Sequence, residues 1–119
     1  MHIKTQLGRY GEDLVSTFLE KKGFTILARN YAKRGGEIDL IARNREFLLF
    51  IEVKTRNKAF FDLSEVIVPS KQRKIIMVAK DFMARYGDDT TICRFDVALI
   101  DTSQPTPLTY IEDAFQESY

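Results

Sequence analysis

The 119-residue chain has no Trp, one His, one Cys and three Pro. With Cys93 alone an internal disulfide is impossible and a thiolate zinc site is disfavoured. The single imidazole, His2, sits at the N-terminus, which disfavours His-based catalysis and His-ligated metals. No run approaches the roughly 18 apolar residues of a membrane span. The opening "MHIKTQLGRYGE" also lacks the apolar core of a signal peptide. The expected compartment is the cytoplasm, with no membrane partner, and the length fits one globular domain over residues 1–119.

Net charge is also scarce, at +1, but it is unevenly placed. Residues 1–80 hold 16 Lys and Arg against 9 Asp and Glu, and residues 81–119 hold 2 against 8. An excess of one sign in the first two thirds points to an anion-binding surface there, beside the plainer account of a solvated surface with an acidic tail.

Apolar periodicity predicts a helix over Gln6 to Lys22, with Leu7, Tyr10, Leu14, Val15, Phe18 and Leu19 on one broad face, stopped by Gly23. Glu12 falls at the edge of that face, and Gly8 and Gly11 would allow close backbone approach. "FTILARN", Phe24 to Asn30, reads as a strand, followed by the basic loop "YAKRGG". Glu37 to Arg43 and Glu46 to Thr55 read as a hairpin turning near Asn44 and Arg45. Pro69-Ser70 opens a second helix with Ser70 as N-cap, carrying Ile75, Val78, Ala79, Phe82, Met83 and Tyr86 as far as Gly87. Thr91 to Ile100 is a further strand, with a last strand or turn around Leu108 to Ile111. The order helix, three strands, helix, one or two strands suggests a mixed sheet flanked by helices.

Within the hairpin stretch "GGEIDLIARNREFLLFIEVKTR", Glu37, Asp39, Glu52 and Lys54 interrupt apolar runs, where charge needs a partner or a metal. Side chains alternate across a strand, so Glu37 and Asp39 share one face and Glu52 and Lys54 share another. Pairing Arg43 with Glu46 would set Glu37 opposite Glu52 and Asp39 diagonal to it, all on one side of the sheet. A one-residue slip would separate them. Converging carboxylates suit a hard divalent ion, Mg²⁺ or Mn²⁺, and Lys54 could orient a water or offset charge on a phosphate. A structural ion-pair cluster is the alternative for Asp39, Glu52 and Lys54, and a strand-end salt bridge is the alternative for Glu37. Lys33, Arg34, Arg56, Lys58, Lys71 and Gln72 flank the proposed site as candidate nucleic-acid contacts, with a helix start that could meet a phosphate. Tyr31, Phe60 and Phe61 could stack on bases or cover the core.

Through "GRYGEDLVSTFLEKKGFTILARN", "GGEIDLIA", "LLFIEVKTR", "VPSKQRK", "RFDVALI" and "IEDAF", the chain resembles the YraN family of small bacterial proteins described as endonucleases, similar to archaeal Holliday junction resolvases within the PD-(D/E)XK nuclease superfamily. The resemblance implies a restriction-endonuclease-like α/β fold, a mixed sheet flanked by helices in the order α-β-β-β-α-β-β. It implies Glu12, Asp39 and Glu52 as metal ligands and Asp39, Glu52 and Lys54 as the catalytic set; Glu37, by its place on the strand, is expected to support the site. Ile38 stands where some members of the superfamily have Pro. The expected function is Mg-dependent hydrolysis of phosphodiester bonds in DNA, branched or structured DNA included, with a homodimer to cut two strands. The alternative is a catalytically silent nucleic-acid-binding or protein-interaction module on the same fold.

Overall fold

The computed structural model describes residues 5–57 and 62–117. Helix α1 (Gln6–Lys21) precedes three strands, β1 (Thr25–Lys33), β2 (Gly36–Arg43) and β3 (Phe47–Arg56). A one-turn α2 (Leu63–Val66), helix α3 (Pro69–Tyr86) and strands β4 (Ile92–Asp101) and β5 (Leu108–Phe115) follow. The strands form one sheet in chain order, antiparallel except for the parallel β3–β4 pair. That parallel pair needs a crossover, and α3 supplies it. The expected mixed sheet flanked by helices is the fold, with α2 as an added turn. Among the described residues no helix is long and apolar enough to cross a membrane.

Alternation divides the core in two. Leu40, Ala42, Leu49, Ile51, Ala98 and Ile100 meet Val15 and Leu19 of α1. Ile41, Leu48, Phe50, Phe95, Val97 and Leu99 meet Ile75, Val78, Ala79 and Phe82 of α3. Near-continuous apolar strands are what a sheet covered on both faces requires.

The helix α1 turns a different side inward from the one its apolar residues predict. Gly11, Glu12, Val15, Ser16 and Leu19 are buried, whereas Leu7 and Tyr10 are exposed. Small residues let the backbone come close to β3: a Cβ on Gly11 would lie 2.0 Å from Thr55 Oγ1. That hydroxyl is buried with no hydrogen-bond partner among the described residues. Glu12 is thereby carried from the edge of the face to its middle.

Three local expectations are corrected. Strand β1 continues through Tyr31, Ala32 and Lys33, and the chain turns at Arg34 and Gly35, where Gly35 has φ +99°. Ser70 is not the cap of α3: Val68 is, with no side-chain hydrogen bond, and Pro69 takes the first helical position. Its fixed φ and missing N–H suit that place without a capping side chain. The third correction concerns the hairpin. Asn44 Oδ1 accepts from Glu46 N (2.9 Å) and Phe47 N (2.7 Å), closing a wider turn than expected. Pairing therefore starts at Arg43↔Leu48 and runs to Leu40↔Ile51, two residues from the predicted register.

Candidate active site

A two-residue displacement preserves side-chain parity, so the charges stay together while their partners change. Continuing the count past Leu40↔Ile51 brings Asp39, not Glu37, level with Glu52. At that point Val53 N donates to Asp39 Oδ2 (2.8 Å), which fixes the carboxylate at the end of the ladder. Asp39 and Glu52 are 5% and 7% exposed, a depth at which two neighbouring carboxylates repel strongly.

These acids open into a cleft of about 670 Å³ between the β2–β3 ends and the start of α3. Glu37, Asp39, Glu52 and Lys54 line it from the sheet, and Ser70, Lys71 and Lys74 from the helix. Lys71 Nζ lies 2.8 Å from Glu52 Oε1. Lys54 and Lys71 also border a smaller cleft of about 270 Å³ with Arg56, Asp62 and Glu65, so they form the wall shared by both.

Burial first, and the charge of Asp39 second, push Glu52 up to about 7, with Lys71 opposing. Burial, with Arg56 and Lys71 nearby, lowers Lys54, and Glu52 and Asp39 oppose that shift. Because folded Glu52 holds its proton more tightly than the ordinary 4.5 of the unfolded chain, its contribution to stability is fully present below about 4.5 and lost as pH rises through about 7. Thermal unfolding in chelator should therefore show a midpoint that falls across this window, and Glu52→Gln should flatten that part of the profile. An unchanged slope in the variant would remove Glu52 as its source.

The other predicted residues divide. Glu12, 2% exposed, does not line the cleft. Among the described residues no three His, Cys, Asp or Glu side chains form a ready metal-ligating group, so Asp39 and Glu52 are brought together as a pair. Lys33 lies over the Tyr31 ring and does not line the cleft, and Arg34 is exposed in the β1–β2 turn. Arg56 is exposed, with Nη1 donating to Thr55 O. Gln72 turns away, donating to Ile67 O (3.2 Å) at the α2–α3 junction. Tyr31 packs edge-on against Phe82 and donates to Asp81 Oδ2 (2.9 Å), so it covers the core. Lys58, Phe60 and Phe61 lie outside the described residues. The candidate site residues do not include Ser70 or Lys74, which line the cleft, or Asn30, which lies beside Asp39 on the neighbouring strand.

The acid pair fits a hard divalent ion. Two buried carboxylates face each other, one of them pushed towards the neutral form by the other, and a small cation beside them would relieve that repulsion. Two protein carboxylates, with waters and substrate oxygens completing the shell, is a usual way of holding Mg²⁺.

The model of the family described as "Uncharacterised protein family UPF0102" matches residues 11–100. Proteins named "UPF0102 protein" are similar over nearly the whole chain. The one from Ralstonia pickettii is 37% identical over 118 residues, 95% of this chain and 92% of its own. That from Hahella chejuensis is 41% identical over 110 residues, 92% and 89% of the two chains. The Geobacter metallireducens protein is 39% identical over 121 residues, 100% and 98%.

Proposed function

The chain belongs to the UPF0102 family, and from its cleft we propose that it is a Mg-dependent endonuclease of the PD-(D/E)XK superfamily, hydrolysing phosphodiester bonds in DNA, branched or structured DNA included. The observation that carries the proposal is that Asp39, Glu52 and Lys54, from two adjacent strands, line one cleft rimmed by basic side chains. A purely structural ion-pair cluster would gain little from opening into a cleft of about 670 Å³.

Asp39 and Glu52 would hold the divalent ion, which when bound would polarise a phosphoryl oxygen and acidify a water. Val53 N–H keeps Asp39 in one orientation. Lys54, on the same face as Glu52, places a cation where negative charge develops on the phosphate. Lys71 and Lys74 on one wall, with Arg56 in the adjoining cleft, provide charge for the flanking phosphates. Cutting opposed strands of a branched duplex would need two copies of the chain, so the homodimer is part of the same proposal.

The test is a panel of linear, flapped, single-stranded and four-way DNA with a structured RNA, in Mg²⁺ or Mn²⁺, alongside Lys54→Ala. Cleavage of DNA by the wild-type chain, lost in the variant and in chelator, is the expected result. Cleavage that survives Lys54→Ala marks a contaminant. Binding of DNA without cleavage under any metal would instead support a silent binding module.

A further inference from the structure

We propose that Asn30 is a positioning residue of this site, its side-chain amide fastening the helix acid Glu12 to the strand acid Glu37. The proposal rests on the nuclease function above and adds to it the means by which α1 is joined to the cleft.

Asn30 is one of two non-glycine residues with positive φ among those described, at +52° in the middle of β1. The left-handed region is uncommon for any side chain but least so for Asn, whose short amide can bond locally. On β1 it falls between Arg29↔Leu40 and Tyr31↔Ile38, beside Asp39 of the neighbouring strand. Both groups facing its amide are carboxylates, which only accept, so the nitrogen is the end that faces them. In that orientation Asn30 Nδ2 lies 3.2 Å from Glu12 Oε2 and 3.2 Å from Glu37 Oε1. One NH₂ group has two hydrogens, one for each acid.

The consequence is geometric. The oxygens of Glu12 and Glu37 cannot be further apart than two hydrogen-bond lengths, although one acid comes from a helix on the far face of the sheet and the other lines the cleft. A neutral amide holds both without cancelling their charge. Lys or Arg in its place would neutralise the negative potential that a cation in the cleft would meet.

Asn30 is exposed, and Gly tolerates its backbone conformation, so Asn30→Gly removes the amide from a chain that still folds. Three readouts test the role on the full-length chain. In ¹⁵N spectra the Asn30 side-chain resonance should shift in both Glu12→Gln and Glu37→Gln, and insensitivity to either change overturns the bridge. Calorimetry should show Mn²⁺ binding to Asn30→Gly weakened by about tenfold, and cleavage should show kcat lowered to a similar degree with KM for DNA kept. The double variant with Glu12→Gln should lose no more than the larger single loss, because both changes act through one unit. Additive losses, wild-type Mn²⁺ affinity in Asn30→Gly, or a raised KM with kcat kept would each overturn the positioning role. A wild-type chain that neither binds Mn²⁺ nor cuts DNA overturns the nuclease function itself, and with it the role of Asn30, in a sample that contains no variant.

Discussion

Lys54→Ala is expected to lower kcat for DNA cleavage by about 10²- to 10³-fold while leaving the folded chain as stable as before, the range for deleting one preorganised group that meets developing charge. The size follows from position. Lys54 stands two residues from Glu52 on the same face of β3 and borders both clefts. It is partly buried on the wall of the clefts and belongs to neither core cluster, so truncation opens no core cavity. The charge of a lysine also has to arrive at one point, and a guanidinium is a planar fork of a different reach; Lys54→Arg should therefore restore little of the rate. Single-turnover cleavage measures the effect, and thermal unfolding of the same samples checks that the fold is intact. A loss of less than about threefold would remove Lys54 from the chemistry.

The second large effect concerns stability and lies away from the cleft. Asp96 is fully buried on the α1 side of β4. Its Oδ1 and Oδ2 accept from Arg94 Nε (2.9 Å) and Nη2 (3.0 Å), Oδ2 accepts also from the Tyr110 hydroxyl (2.6 Å), and Oδ1 from Asp113 N (2.9 Å). That last N–H belongs to the bulged stretch of β5 where the ladder slips between Phe95↔Phe115 and Val97↔Ile111, and where Asp113 has φ +52°. Burial, reinforced by the carboxylate charge, raises the Tyr110 phenol well above its usual range, so it remains a donor at any ordinary pH. Asp96→Ala takes away the acceptor shared by the Arg94 guanidinium, the Tyr110 phenol and the Asp113 N–H, leaving the guanidinium only Glu112 at 3.8 Å. The expected cost is about 3–5 kcal/mol, the scale for breaking a buried pair, against a total stability of about 5–15 kcal/mol for a domain. Denaturant unfolding checks it. Arg94→Met combined with Asp96→Leu should recover only the share of the loss that comes from the unpaired guanidinium, since the Tyr110 hydroxyl and the Asp113 N–H still lack their acceptor. A change below about 1 kcal/mol for Asp96→Ala would mean that water takes over the acceptor role.

Much of this was legible in the residues, and each exception has an identifiable cause. The order of elements follows from periodicity, and the clustering of Glu37, Asp39, Glu52 and Lys54 follows from strand parity. Their partners were not legible, because the side chain of Asn44 consumes two N–H groups that a tight turn would have left to the ladder. Helix α1 is misjudged by an apolar wheel because Gly11 and Ser16, neither strongly apolar, permit the closest packing. Gln72 reads as a neighbour of Lys71 but points a hundred degrees around the helix, to Ile67. Asn30 carried no periodic signal, since its role depends on a left-handed backbone and on two acids that come from other elements.

The wider turn at Asn44 also sets a rule for change. Strands are two-sided, so the loop between β2 and β3 acts as a phase setting: lengthening it by two residues slides the pairing yet returns each side chain to its own face, while one residue exchanges the faces. In the odd case Phe50, Glu52 and Lys54 would be driven into the layer beneath α1 now filled by Leu49 and Ile51, and Ile51 and Val53 would be turned to the cleft side. Variation in the length of this loop is therefore tolerable only in even steps, and the chemistry of the cleft is protected by a count of residues in a turn that never touches it.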